Sequence, residues 1–495
     1  MKVSISYPPL ESRHGQATLG QNRQFEWFSH PTFIYPMVPA QAATLLARAG
    51  HEVIWNDAIA EGCSYRRFLD SFAADPPDLM LMESKTPVIQ QHWRIVGDLK
   101  RISPATRVAL WGDHVTALPQ ESLIACEVDY VLTGGDLEPM LLGLCEHMAC
   151  AVAPPAGVWF RSHDGFVASK AAPPARVDPD ELPFIDRELT RWDLYGEHLF
   201  HKPCTYTMVG RDCWRPRCTF CSWTTLWPRF RTRSPESLLD EIEAILERLP
   251  VREIFDDTGT FPVGAFLHRF CRGMIERGIS GRVHFSCNMR INALTREECD
   301  LMAAAGFRVV KFGIESANQA TLDRLDKGTT VEDLVRGCRD AKVAGLAPHL
   351  TTMLGYPWET RDDAQHTLDL ARGLLHDGFA DTLQATLVIP YPGTPLFDEA
   401  ERCGWLTYGR RWEHYDMTRP VMRTAMEDAE IMDMVKSLYS SCLSVPFVAR
   451  KLASLRSVQD VRYLARAARA VSGHILDFAR ERRRLRRPPA PEPSG

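Results

Sequence analysis

At 495 residues the chain is too long for one compact core and suits two or three domains. Its 45% hydrophobic and 24% charged content is ordinary for a globular protein, and a net charge of -5 excludes a general nucleic-acid binder, which needs a basic surface to neutralise phosphates. No apolar run approaches the ~18 residues of a membrane span, and the 14 cysteines are too scattered for a small secreted disulfide scaffold, so a cytoplasmic protein with no integral membrane segment is expected.

Residues 1–150 alternate short apolar runs with helical patterns. Val3–Tyr7 reads as a strand, and "VPAQAATLLARAG" (38–50) reads as a helix closed by Gly50. Segments 52–55, 78–82, 107–111 and 129–133 bring the strands to five, with helices such as 86–101 and 137–149 among them. This rhythm predicts an α/β, Rossmann-like parallel sheet whose ligand sits beyond the C-terminal strand ends. The loops there are 8–12, 56–62, 83–87, 112–116 and 134–136. A nucleotide-binding version of the fold lacks its usual support, because no Gly-x-Gly-x-x-Gly follows the first strand.

Residues 151–195 change character, with proline clusters flanking "VWFRSHDGFVASK". Asp164-Gly165 is a hairpin turn signal between alternating residues, and the prolines predict a semi-rigid linker.

From 196 to 400 a second rhythm begins, with strands expected at 204–209, 252–256, 283–287, 308–314, 349–354 and 383–389. Helical patterns lie between them, such as 234–249 with Ser234 as N-cap and Pro235 in the first turn. Six β-then-α units predict a partial (β/α)6 barrel with its reactive residues where strands end. "RDCWRPRCTFCSW" (211–223) follows the first of these strands and carries Cys213, Cys218 and Cys221. Three thiolates suit three corners of a [4Fe–4S] cluster, leaving one iron open. Zinc with Cys204 or His201 as a fourth ligand is the alternative. Residues 401–480 read as a helical C-terminal region, and 481–495 as a basic, proline-rich disordered tail.

The later strand ends carry "IFDDTGTFP" (254–262), "FSCNMRIN" (285–292), "KFGIESANQATLDRLDKGTT" (311–330), "TMLGYPWET" (352–360) and "VIPYPGTPLF" (388–397). With the cysteine triplet, they resemble the radical S-adenosylmethionine (SAM) enzymes. In the first domain, "YPPL", "NDA", "WGDHVTALP" and "VLTGGDLEP" resemble the cobalamin-binding domain of that family's B12-dependent branch. A similar hairpin and "LPFIDR"-like stretch joins the two domains there.

The resemblance implies a [4Fe–4S] cluster on Cys213, Cys218 and Cys221, and SAM contacts from Phe220, Asp257, Thr258, Asn288, Arg290, Glu315, Ile389 and Tyr391. It implies cobalamin contacts from Pro8, Asn56, Asp57, Ser84, Gly112, Asp113, His114, Val115, Gly134 and Gly135. Glycines 112, 134 and 135 would let backbone approach a corrin face. Tyr356 and Trp358 are candidates for a substrate pocket. Two departures stand out. Four residues separate Cys213 from Cys218 where the family commonly has three, a change of at most about 3.6 Å in reach. The Asp-x-His-x-x-Gly motif that supplies a cobalt ligand in methionine-synthase-type domains is absent.

The implied activity is cleavage of SAM to functionalise an unactivated carbon of a small-molecule substrate, by methyl transfer, with an external flavodoxin- or ferredoxin-type electron donor. The alternatives are a non-methylating rearrangement or cyclisation, aminocarboxypropyl transfer, and a non-catalytic cobalamin sensor.

Overall fold

The computed structural model describes residues 1–19, 25–29, 31–162, 165–169, 178–453, 455 and 458–485. Strand β1 (Lys2–Tyr7) is buried along almost its whole length, as a central parallel strand must be. Strands β2 (Gln16–Thr18) and β3 (Glu26–Phe28) then form a small antiparallel pair that the sequence patterns do not announce. The first sheet continues with β4 (Glu52–Asp57), β5 (Leu79–Glu83), β6 (Arg107–Trp111) and β7 (Tyr130–Leu132), all parallel to β1. Its order is β4-β1-β5-β6-β7-β8-β9, so the expected Rossmann-like architecture is present and its direction reverses between β1 and β5.

The expected linker hairpin is β8 (Val158–Ser162) and β9 (Gly165–Ala168), and β8 pairs antiparallel with β7. It is therefore an edge of the first sheet as well as a connection. Asp164 of its turn and the prolines within 170–177 lie outside the described residues.

The second sheet is the partial barrel. It runs β10 (Cys204–Thr207), β13 (Glu253–Asp256), β14 (His284–Met289), β15 (Phe307–Glu315), β16 (Ala347–Leu354) and β17 (Thr382–Leu387) in that spatial order, every neighbour parallel. The short ribbon of β11 (Gly210–Arg211) and β12 (Arg231–Thr232) closes the base of the intervening cysteine loop. Helices are punctuated as the sequence suggests: Ser234 Oγ accepts from Ser237 N, and Thr295, Thr330 and Thr360 each form a capping box. Phe261, Phe270, Phe285 and Phe307 pack edge-on or tilted against one another, fixing helix Ala265–Glu276 to the sheet.

Three C-terminal helices follow: Asp428–Ser441, Val445–Ala453 and Val458–Leu485. Tyr439 Oη ties the first to β17 by donating to Ala385 O at 3.0 Å. The last continues to Leu485, five residues into the stretch expected to be disordered. Among the described residues no helix is long and apolar enough to cross a membrane.

The first domain, the linker and the barrel are joined by buried polar contacts. Arg211 pairs with Glu138 at 2.7 Å with both side chains buried. Arg187 reaches Glu241 and Tyr206 O, each at 2.8 Å. Tyr195 Oη donates to Asp57 at 2.8 Å and accepts from Trp55 Nε1 at 3.1 Å. Unpaired, such groups would cost several kcal/mol each, so the pairing holds the first sheet's ligand edge against the barrel mouth.

Candidate functional site

At the C-terminal ends of the barrel strands lies a cavity of about 250 Å³. Cys213, Cys218 and Cys221 all line it, together with Phe220, Asp257, Asn288, Arg290, Glu315, Ile389 and Tyr391. With Met353 of β16, the topology gathers residues from six separate strands at the barrel mouth.

The cysteine loop is pinned along its length. Asp212 Oδ1 accepts from Gly259 N at 2.6 Å, and a Cβ on Gly259 would fall 2.6 Å from Asp212 Oδ2, so only glycine admits this contact. Cys213 Sγ lies 3.3 Å from Thr260 Oγ1. The four-residue spacer is anchored twice: Trp214 Nε1 donates to Phe261 O at 3.3 Å, and Arg215 Nη2 pairs with Asp326 Oδ1 at 2.8 Å. Thr219 N donates to Leu325 O at 3.1 Å. The longer spacing is therefore absorbed by contacts to the loop around 326.

That loop also supplies a cation. Lys327 Nζ pairs with Glu315 Oε1 at 2.5 Å with both side chains largely buried. Glu315 has a φ of 57°, a conformation costly for a non-glycine residue, and β15 breaks register between Gly313 and Glu315. A Cβ on Gly313 would fall 2.2 Å from Glu315 Oε1 and 2.8 Å from Lys327 Nζ, so the glycine makes room for the pair. Glu315 therefore pairs with neither Arg290 nor Lys311. Arg290 bonds the carbonyls of Lys327 and Gly328, and Lys311 bonds Glu197 at 2.8 Å. Burial pushes the Cys218 thiol up, Lys327 and Arg290 pull it the other way, and the net direction is upward.

Asp257 and Asn288 face the cavity, with Asn288 Nδ2 donating to Thr258 O at 3.0 Å. Thr258 is turned away: its Oγ1 accepts from Gly210 N at 2.8 Å. Asp256 caps no helix; it is fully buried and accepts from Thr207 Oγ1 and Val209 N at 2.9 and 3.0 Å. Tyr356 and Trp358 lie off the cavity lining, and Trp358 stacks between Tyr356, Trp405 and Arg324. Cys204 begins β10 at the opposite end of the strand, buried, its thiol pushed up to about 12 by that burial. Among the described residues no three His, Cys, Asp or Glu side chains gather around one single-ion position.

The ligand edge of the first sheet meets this site. Tyr7 Oη donates to Glu83 Oε2 at 2.7 Å, Lys85 lies 3.6 Å from Glu83 and 3.7 Å from Asp113, and Ser222 Oγ donates to Asp113 Oδ2 at 3.0 Å. Burial pushes Glu83 up to about 7 against the pull of Lys85. The chain of contacts ends one residue from Cys221. Replacing Ser222 by alanine should strip one bond from buried Asp113 and cost about 1–3 kcal/mol, measurable by anaerobic urea unfolding, with iron content unchanged.

Most of the other residues expected at this edge support it from below. Ser84 Oγ bonds His92 Nδ1 at 2.6 Å, and buried His114 is held by Glu121 at 2.9 Å and Thr86 at 3.1 Å. Pro8 and Val115 are buried, and Asp57 accepts from Tyr195. Two of the three glycines expected to expose backbone do not: a Cβ on Gly112 would meet Ser84 O at 2.3 Å, and one on Gly135 would meet the Trp227 ring at 2.1 Å. Gly134, with φ of 92° and no atom within 4 Å of its missing Cβ, and half-buried Asn56 remain within reach. Trp227 and Glu197 carry no sequence motif, and nothing in the 311–330 stretch singles out Lys327, so their place here came only with the fold.

Residues 208–371 match the radical SAM superfamily. The chain is 27% identical over 421 residues to the anaerobic magnesium-protoporphyrin IX monomethyl ester cyclase of Rubrivivax gelatinosus, covering 82% of this chain and 73% of that one. It is 26% identical over 460 residues to an uncharacterized methyltransferase of Pyrococcus horikoshii, covering 91% and 94%. Its fold is similar to that of the radical S-adenosylmethionine methyltransferase TsrM from Kitasatospora setae, solved with cobalamin and a [4Fe-4S] cluster bound, at 18% identity and a TM-score of 0.64 over 82% of this chain and 75% of that one.

Proposed function

We propose that this chain, an enzyme of the radical SAM superfamily through its residues 208–371, is a cobalamin-dependent member that alkylates an unactivated carbon of a small molecule by methyl transfer. The observation that carries this reading is the convergence of Cys213, Cys218 and Cys221 on one cavity with the Glu315–Lys327 pair and Arg290. Three half-buried thiols, with no fourth among the described residues lining the cavity, suit a cluster with one open iron, and the neighbouring cations suit its negative charge.

When bound, the cluster supplies the electron that splits the sulfonium of SAM, and cobalamin supplies a methyl carrier. The chain's own residues do the rest. Phe220 keeps water from Cys221, while Asp257 and Asn288 offer acceptors and donors to the amine and hydroxyls of SAM. Arg290 and Lys327 place positive charge where a carboxylate binds. Ile389 and Tyr391 give an adenine an apolar wall. At the first domain, Asn56 and Gly134 are the contacts left open to cobalamin, and Asp113 couples that edge to the cysteine loop through Ser222. Electrons come from an external flavodoxin- or ferredoxin-type donor.

The likeness to an anaerobic cyclase favours a second reading, ring closure or rearrangement with the same parts. Product analysis on reduced holoprotein separates the two. Methyl transfer gives S-adenosylhomocysteine and 5′-deoxyadenosine together; rearrangement gives 5′-deoxyadenosine alone. Methylthioadenosine would replace both readings with aminocarboxypropyl transfer, and no nucleoside product would rule out catalysis.

A further inference from the structure

The cysteine cavity adjoins a second one below it. Ile34, Glu197, Lys311 and Gln384 line both it and a second chamber of about 400 Å³. This second chamber lies at the open side of the barrel, beyond β17, and its walls come from the C-terminal helices and the β2–β3 pair. Leu383, Leu443, Phe447, Leu464, Ala467 and Val471 give it an apolar lining.

The charged groups along this lining are already paired. Lys311 holds Glu197 at 2.8 Å, and Asp381 holds Lys342 and Lys451 at 2.5 Å each. His349 is tied to Thr382 Oγ1 at 2.8 Å, and burial lowers its imidazole to about 3, keeping it neutral. Glu26 is buried against Gln384, and that burial pushes its carboxyl up to about 8. Among these groups a charged ligand would find no free counter-ion and would pay the desolvation cost. Thr18 Oγ1, a buried polar atom of the chamber on a residue only 4% exposed, lacks a partner.

We infer that this chamber receives the apolar part of the substrate: an elongated, uncharged molecule with one hydrogen-bonding group for Thr18, whose other end passes Lys311 and Gln384 to reach the cysteine cavity. The inference rests on the proposed reading that chemistry occurs in that cavity. The volume falls within the usual range for small-molecule sites, roughly 300–1,000 Å³, and the wall shared with the cysteine cavity at Ile34, Glu197, Lys311 and Gln384 points to substrate as the occupant.

The neutral fluorophore N-phenyl-1-naphthylamine, titrated into cluster-loaded full-length protein, should bind one saturable site. Primary alcohols from hexanol to dodecanol should displace it about fourfold more tightly per added methylene until the chamber fills. Ala467→Trp should weaken the fluorophore at least about tenfold, filling the chamber from helix Val458–Leu485, while iron content and SAM binding stay unchanged. Should Ala467→Trp lose iron and misfold, Val448→Trp, which enters from helix Val445–Ala453, decides instead. No saturable binding in wild type, or unchanged affinity in the deciding variant, overturns the inference. Wild-type protein that binds the fluorophore yet takes up no iron on anaerobic reconstitution would instead sink the proposed chemistry and leave the chamber standing as an apolar site.

Discussion

Cys218→Ala should abolish reductive cleavage of SAM and release the cluster iron, while Cys204→Ala keeps both. Cys218 lines the cavity between Cys213 and Cys221, beside Lys327 and Arg290, and no other thiol among the described residues lines that cavity. Two remaining thiolates cannot hold a cube that needs three, so the loss should be complete rather than graded. Cys204 is the informative control. It is buried at the far end of β10, its thiol raised to about 12, and it packs beside Gly196, where a Cβ would lie 2.6 Å from its sulfur. Its removal should cost stability through lost packing and leave the iron signal intact. Iron and sulfide assays with 5′-deoxyadenosine measurement on both variants check this.

The second large effect is expected at Glu315→Ala. The substitution leaves the Lys327 ammonium buried without its partner, an error that typically costs about 3–5 kcal/mol. Burial alone would lower Lys327, yet Glu315 holds its pKa above the ordinary lysine value. The double variant Glu315→Leu/Lys327→Met should recover much of the lost stability, since it removes both charges together. It should not recover cofactor binding. Losing this pair should weaken SAM at least about tenfold, the worth of one charge-assisted bond of about 1.4 kcal/mol. Anaerobic urea unfolding reads the first effect and isothermal titration the second. A double variant as unstable as Glu315→Ala would mean that the pair is not coupled as its 2.5 Å contact implies.

Much of the fold was legible because its periodicities are strong. Each expected strand of both sheets lies within a few residues of an observed one, and the Ser234 cap forms as read. Parallel strands buried on both faces give continuous apolar runs, and their C-terminal ends mark where chemistry gathers. The cysteines were readable from their place after a strand, and Asn288, Arg290 and Glu315 from the family resemblance; all line one cavity. What stayed hidden depends on contacts distant in sequence. Lys327 joins the site only because the loop after Arg324 folds back on the cysteine spacer, and Glu197 only because the segment before β10 meets Lys311 of β15. Gly112 and Gly135 looked alike in sequence to Gly134; only the packing of Ser84 and Trp227 distinguishes closed glycines from an open one. The β2–β3 pair escaped because strands of three residues carry no usable alternation.

The proposal concentrates in the cavity at the barrel mouth, and the most direct measurement is the metal and sulfide content of anaerobically prepared wild-type protein, read with its electron paramagnetic resonance after reduction. About four irons and four sulfides per chain, with a reduced-cluster signal that changes when SAM is added, is the expected result. Stoichiometric zinc with no sulfide and no signal would contradict it.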